Sequence, residues 1–412
     1  MNFKLPFLPE QASAGASEVD NLTLFLVGMG TFFTVLIAVM VIFFAIRYRR
    51  KSDNLVGSNF ENSAFLEITW TVIPLLIALF SMARGDVVFD RVVTVMFINL
   101  LLTVGLQVFM GNSGLGSFGQ YAFVTIGAYG SIWFSLTPQQ KALALPDMPK
   151  DWWLYSQHTP FLVAVLIAAV IAAAFGGLIG IALVRLRGAS FTIATFALLI
   201  VVNRVALQWS ELTRGARTVL GIPKLTDLPM AFVWAAVIVV VAYLFKESTV
   251  GLKLRASRED EAAAASIGVN AALNRWIAWV LCAAISAIGG ALWAHFIQQF
   301  SPHNFYLRET FLIVAMLIIG GAGSVSGAVI GAVIVALGQE QLRQLENVIN
   351  GSGVVPFDVR GFADIVLAVA IILVLIRWPS GITRGREITF DSFRRLSGRT
   401  KQQVTNADAR SR

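Results

Sequence analysis

The chain is short of cysteine and histidine, the residues that most often carry redox and transition-metal chemistry. In 412 residues there is one cysteine, Cys282, so no disulfide framework, zinc knuckle or redox pair can form within it. Lying inside an apolar run, Cys282 reads as a small packing residue. The three histidines, His158, His295 and His303, stand far apart. Charge is scarce too: Asp, Glu, Lys and Arg make up 14% of the chain, against 57% hydrophobic residues. A soluble domain does not carry apolar runs of about 20 residues one after another. The mean hydropathy of +0.73 agrees with a polytopic membrane protein. The net charge of +8 sits on residues flanking the apolar runs, which places it in loops beside a bilayer and not on a nucleic-acid surface. No G-x-x-x-x-G-K-S/T phosphate loop occurs. No cleavable leader is expected, because the first apolar run is too long for a signal core.

What is there is a series of spans. Leu22–Ile46 and Ala64–Met82 form the first two, the second interrupted by Pro74. Arg47, Arg49, Arg50 and Lys51 put their connecting loop in the cytoplasm, with Met1–Asp20 outside. Glu67, near the cytoplasmic end, reaches the interface. Later spans are expected at Val92–Met110, Phe161–Val184, Ser190–Gln208, Met230–Phe245, Trp276–Phe296, Phe311–Leu337 and Phe362–Ile376. Trp152, Trp153 and Tyr155 suit an outer interfacial belt, His158 a surface position, and Arg204 a snorkelling side chain. The expected fold is all-α: a polytopic bundle of about ten transmembrane helices with broken or re-entrant Gly-rich segments.

Two segments are rich in glycine. In Gly111–Ser131, glycines at 111, 114, 116, 119, 127 and 130 are too frequent for a plain helix interior. Small residues there either let helices approach closely or mark a broken helix lining a pathway. The second segment runs from Ile318 to Ala332. If it turns back as a hairpin, Phe362–Ile376 runs inward and the tail with Arg384, Arg386, Arg394 and Arg395 lies inside. Paired interruptions of this kind mark a midplane pathway.

Between two apolar runs stands a charged island, Gly251–Asn270, GLKLRASREDEAAAASIGVN. Ser257 is expected to cap a short helix, with Asp260 completing a capping box. Glu259, Asp260 and Glu261 suit its first turn. Ala262 to Ala265 give a smooth wall, and Gly268 a left-handed stop. Lys253, Arg255 and Arg258 argue for a cytoplasmic loop. The segment reads either as a solvated loop helix or as a knob for a groove on a partner.

Two family resemblances cover the chain. ASEVD at Ala16–Asp20, RYRRK at Arg47–Lys51 and LEITWTVIPLL at Leu66–Leu76 resemble the N-terminal hairpin of cytochrome c oxidase subunit II, over residues 1–83. That family's copper domain needs two cysteines, histidines and a methionine, and nothing of the kind follows. After a junction at 84–91, residues 92–384 resemble the permease subunit of branched-chain amino acid ABC importers. The motifs are the first Gly-rich stretch with Ser117, Phe123 and Gly127-Ala128-Tyr129, then Arg187-Gly188 with Thr195, and then Gly221-Ile222-Pro223. RASREDEAAAASIGVN, GGAGSVSGAVIGA and RWPSGI at Arg377–Ile382 complete the set. Residues 385–412 form a polar tail expected to be disordered. Departures are Gln120 where a histidine is common, TRGARTVLGIP in place of a Gly-Gly form, and the missing first helices of the family.

The resemblance implies an inner-membrane subunit of an ATP-driven importer for branched-chain amino acids, urea, amides or a similar solute. It makes the island the coupling helix, with Arg255, Arg258, Glu261, Ala262, Ala263 and Gly268 facing an ATPase subunit. The paired glycine breaks give the expected pathway residues as Gly111, Asn112, Gly114, Ser117, Gly119, Gln120, Gly320, Gly321, Gly323 and Ser324. The chain is then no enzyme, and binds no cofactor or metal. ATP and Mg belong to two ATP-binding subunits, which join a second permease and a periplasmic binding protein. A respiratory-complex subunit tethered through residues 1–83 is the alternative. An ion-coupled carrier ranks last, because the middle of the spans is almost free of ionisable groups.

Overall fold

The computed structural model describes residues 77–78, 81, 87–351, 361–377 and 381–383, all in the second of two compact units, Asn62–Arg412. The expectations for residues 1–76, the Pro74 span and the tail lie outside the described residues.

Among the described residues every regular element is a helix. α1, Val87–Leu106, runs on into a π-helical turn, Gln107–Gly111. The chain is then non-helical over 114–119 before α2, Gln120–Ser135. Two short helices follow, α3 (Pro138–Ala144) and α4 (Trp153–Ser156). α5 (Phe161–Leu183) and α6 (Ala189–Gln208) are joined by a short turn, and α7 is Ser210–Thr213. α8 is Leu228–Glu247, with Pro229 in the first turn where its missing N–H costs nothing. Then come α9 (Thr249–Glu259), α10 (Glu261–Ser266) and α11 (Ala271–Ile297). A 3-10 turn at Pro302–Phe305 leads to α12 (Leu307–Gly320), α13 (Val325–Gly351) and α14 (Phe362–Arg377).

Six of these segments are long and apolar enough to cross a membrane: 87–111, 161–183, 189–208, 228–247, 271–297 and 325–350. α2, α12 and α14 are shorter apolar helices that complete the bundle. Burial sorts the spans. The apolar windows of 87–111 and 271–297 are 83% and 72% buried, whereas those of α5, α6 and α8 are 39%, 39% and 33% buried. The first two are therefore the central posts. The other three turn Leu162, Val170, Leu178, Ile193, Val201, Val233 and Val240 outward, as lipid-facing helices do.

Close backbone contact joins α2 to α11. A methyl group on Gly127 would overlap the Ala287 carbonyl, and one on Gly290 would overlap that of Val124. The two readings of the first glycine cluster therefore divide it. Gly127 serves close packing, and 114–119 is a true break. Behind the break, Trp279 of α11 packs edge-on against Phe109, Phe123 and Phe191 at centroid distances of 5.2, 5.2 and 5.7 Å. Its Nε1 donates to the Gly176 carbonyl of α5 at 3.0 Å.

The second glycine cluster is a hairpin. α12 and α13 touch where a side chain on Gly331 would strike the Met316 carbonyl. Ser324 caps α13, its Oγ accepting from the Gly327 N–H at 3.0 Å. After α14 the chain returns to the same turn: Ile382 N–H donates to Ile319 O at 2.9 Å, and Thr383 N–H to Gly320 O at 3.0 Å. The span expected at Phe311–Leu337 is thus two helices, and α14 runs in the direction that the hairpin reading requires.

At the far end of the bundle the loops are pinned together. Val219 pairs with Phe300, and Asn203 Nδ2 donates to Pro302 O at 2.8 Å. Ser135 Oγ and His295 Nε2 lie 2.8 Å apart. Lys141 Nζ donates to the carbonyls of Leu154, Tyr155 and Gln157 at 2.7, 3.3 and 2.5 Å. Burial lowers the Lys141 ammonium to about 8 from its ordinary 10.5. His158 is exposed there, as expected of a surface residue, and Arg204 is exposed on α6.

Candidate coupling and gating site

The charged island is two helices, not one. α9 starts at the Ser248 cap, whose Oγ accepts from Gly251 N–H at 3.2 Å. Ser257 is therefore already helical, and its hydroxyl donates to Leu254 O at 2.8 Å. The expected cap at Ser257 is corrected to Asp260. One Asp260 carboxylate oxygen accepts from the Ala262 and Ala263 N–H groups, both at 2.9 Å, and starts α10. Gly268 does end this helix, at φ +82. Gly268 N–H reaches Ala265 O and Val269 N–H reaches Ala264 O, each at 3.0 Å. That is the pair of hydrogen bonds of a Schellman ending. Ala262, Ala263, Ala265, Ser266, Ile267 and Gly268 are exposed, and Ala264 is buried beneath them.

Glu261 anchors this small helix. Its two carboxylate oxygens meet Arg187, in the α5–α6 turn, at 3.2 Å and Arg275, at the start of α11, at 3.1 Å. Arg275 is 7% exposed and Arg187 is 77% exposed, so the Arg275 contact is the structural one. Arg255 turns inward: its Nη2 donates to Lys246 O at 3.1 Å and lies 3.5 Å from Glu247.

Arg258 joins the island to the first glycine break. Its Nη1 donates to Gly111 O at 2.7 Å, and its stem lies over Gly114, which has φ +71 and no side chain to obstruct it. Lys246, in the last turn of α8, donates to Gly323 O at 2.8 Å in the second break. The two breaks touch, since a side chain on Gly111 would run into the Ala322 carbonyl. Both cations stand at helix carboxyl ends, of α1 and of α12, where the dipole favours positive charge. Thr195 joins the same assembly, accepting from Phe118 N–H at 3.2 Å, as Thr192 does by donating to Gly116 O at 3.0 Å. Ser324 Oγ meets Thr383 Oγ1 at 2.9 Å.

Of the residues assigned to a pathway, Gly111, Asn112, Gly114, Ser117, Gly119, Gly320, Gly321, Gly323 and Ser324 gather at this end of the bundle. Gln120 opens α2 next to Gly119, its Nε2 donating to Leu102 O at 2.6 Å. The paired breaks lie beside α9, at the carboxyl ends of the π turn and of α12. Asn112 is fully buried and donates to Val108 O at 2.9 Å. Sequence reasoning missed Lys246, Arg275 and Gln107. Gln107 opens the π turn, is fully buried, and neither its nitrogen nor its oxygen has a hydrogen-bond partner among the described residues. A buried polar group left so costs about 1–3 kcal/mol, and π turns are frequent at functional sites. Among the described residues no cluster of three or more His, Cys, Asp or Glu could hold a metal ion.

A bundle of apolar helices, interrupted by glycine breaks that meet under a small exposed helix, defines a polytopic membrane protein of the permease class. Residues 88–375 match the family model described as branched-chain amino acid transport system, permease component, and the chain belongs to that family. Residues 2–83 match the transmembrane domain of cytochrome c oxidase subunit II. Among curated relatives, the high-affinity branched-chain amino acid transport system permease protein LivM of Escherichia coli is 27% identical over 298 residues. That alignment covers 64% of this chain and 65% of the relative, so the chain spans just under two thirds of the relative's length. The nucleoside ABC transporter permease protein NupC of Lactococcus lactis is 25% identical over 232 residues, 52% of this chain and 69% of that protein. Cytochrome c oxidase subunit 2 of Thermostichus vulcanus is 38% identical over 85 residues, 20% of this chain and 26% of that protein. No solved structure matches the chain.

Proposed function

We propose that the chain is the membrane-spanning subunit of an ATP-driven importer that carries branched-chain amino acids or a related small solute into the cytoplasm. The observation that carries this reading is α10. It is an exposed alanine-faced helix of six residues, capped by Asp260, ended at Gly268 and anchored through Glu261 to Arg275. A rigid knob of small residues suits a cleft on a partner, because backbone can come close to backbone. Without a phosphate loop of its own, the chain relies on separate ATP-binding subunits, two of them, together with a related second permease and an extracytoplasmic solute-binding protein. ATP and Mg are bound by those partners, and the chain itself catalyses no reaction.

The α10 end then faces the cytoplasm of a bacterial inner membrane, with the N-terminus outside and the C-terminus inside. The orientation rests on α10 and not on counting basic residues, since Arg214, Arg217, Lys224 and Arg308 stand at the opposite end. The solute would pass where the two breaks meet, once they separate, with Gly111–Gln120 on one side and Gly320–Ser324 on the other. Residues 1–83 make a separate tethering hairpin in this reading. Their match to the oxidase subunit also supports a second reading, attachment to a respiratory complex.

The test is uptake of labelled leucine into cells that carry Glu261→Lys or Gly268→Trp in the full chain, with co-purification of the ATP-binding subunits measured in parallel. Loss of both uptake and co-purification is expected. Normal uptake with normal co-purification refutes the coupling role. Co-purification with oxidase subunits in their place supports the second reading.

A further inference from the structure

We propose that Arg258 and Lys246 are a two-point latch on the glycine breaks, and that Gln107 is the residue that biases the latched turn toward release. The proposal rests on the reading of α10 as the point where a motor docks. Both latch points are hydrogen bonds from a cation to a backbone carbonyl: Arg258 to Gly111 and Lys246 to Gly323. Both cations belong to the segment that leads into α10. Lys246 ends α8, and Arg258 lies two residues before the Asp260 cap. A displacement of α10 therefore acts first on Arg258. Because Gly111 abuts Ala322, a shift at one break is felt by the other.

Gln107 supplies the second, independent observation. It opens the same π turn that Arg258 holds closed at Gly111. In the latched arrangement its carboxamide is fully buried with neither atom paired. Any arrangement that pairs the carboxamide is favoured by what the latched one leaves unmet. A π turn holds more residues per turn than an α turn, so rewinding it rotates the chain that follows, here 112–119. Arg258 and Lys246 thus act as positioning residues: they hold the breaks together, and the motor's stroke lets Gln107 turn them apart.

The test uses the full chain with Cys282→Ala, so that a cysteine at Val108 is the only thiol. Val108 is fully buried in the π turn. Its reaction with N-ethylmaleimide in detergent-solubilised membranes reads the opening of that turn. Arg258→Ala or Lys246→Ala is expected to speed labelling about ten-fold, while Arg258→Lys, which keeps a donor, changes it less than about three-fold. Adding Gln107→Leu to Arg258→Ala is expected to slow labelling again. Equal rates in all variants overturn the latch, and a fast rate that ignores Gln107→Leu overturns the role of Gln107. Should Arg258→Ala fail to fold, Gln107→Leu alone decides. It should raise the midpoint of thermal unfolding and slow labelling of the Val108→Cys thiol; a midpoint no higher than wild type, or labelling no slower, refutes the proposal. Labelling rates and unfolding midpoints do not depend on the solute. A wild-type chain that carries no leucine would refute the transport reading and leave the latch standing.

Discussion

Arg275, all but buried at the foot of α11, holds the Glu261 carboxylate at 3.1 Å and so fixes the base of the exposed helix α10. The ion pair ties the first residue of α10 to the start of α11. Its two ends differ in exposure, 7% for Arg275 and 32% for Glu261, and the consequences of removing them differ accordingly.

Glu261→Ala leaves Arg275 buried without its carboxylate. With Glu261 a third exposed, solvent screening reduces the loss to about 1 kcal/mol. Arg187→Ala, at a side chain 77% exposed, should cost less still. Thermal unfolding of the detergent-solubilised chain checks the order: Glu261→Ala below Arg187→Ala, and Arg187→Ala close to wild type. The reverse order would contradict the anchoring role of Arg275.

At Gly268 the backbone has φ +82, with open space where a side chain would stand. Gly268→Ala therefore meets no clash and pays only the left-handed conformation, about 1–2 kcal/mol. Gly268→Asn should cost less, since asparagine tolerates that region. Binding of the ATP-binding subunits to detergent-solubilised chain should fall in the order Gly, Asn, Ala. Equal binding by all three would mean that the Schellman ending has no part in docking.

The α2–α11 crossing allows no side chain at Gly127 or Gly290. Gly290→Val forces the two helices apart and should destabilise the bundle by about 1–3 kcal/mol. The amount of folded chain in the membrane should drop, whereas Val233→Leu on the outward face of α8 leaves it unchanged. A normal yield of folded Gly290→Val would contradict the close crossing.

Burial lowers Lys141 to about 8, while the unfolded chain keeps the ordinary 10.5. Between those values the unfolded state binds the more protons, so this residue makes stability rise with pH there and adds no slope below about 8. The thermal midpoint of wild type relative to Lys141→Gln should climb from pH 8 to 10. A flat or falling difference would show that the carbonyl cage holds the charged ammonium without penalty.

Much of the fold was legible where hydropathy changes abruptly. α5 was expected over 161–184 and found at Phe161–Leu183, because Pro160 and Arg185 bound its apolar run. Gly268 was legible because a left-handed stop is a local property. The Ser257 cap was misplaced because α9 begins upstream, at Ser248, and its interior reaches past Ser257. The contacts of Lys246 and Arg258 were illegible for another reason. Lys246 meets Gly323 across 77 residues and Arg258 meets Gly111 across 147, and no local pattern encodes such pairs. Both glycine segments could be read as breaks, but that they meet each other at the foot of α9 emerges only from packing.

The most direct test of the account is a photo-crosslinking amino acid at Ala263, on the exposed face of α10, in the full chain within native membranes. The account predicts a crosslink to an ATP-binding subunit that weakens when Glu261 is changed to Lys. Absence of that crosslink, together with reaction of a cysteine at Ala265 with an impermeant reagent applied outside intact cells, would contradict it.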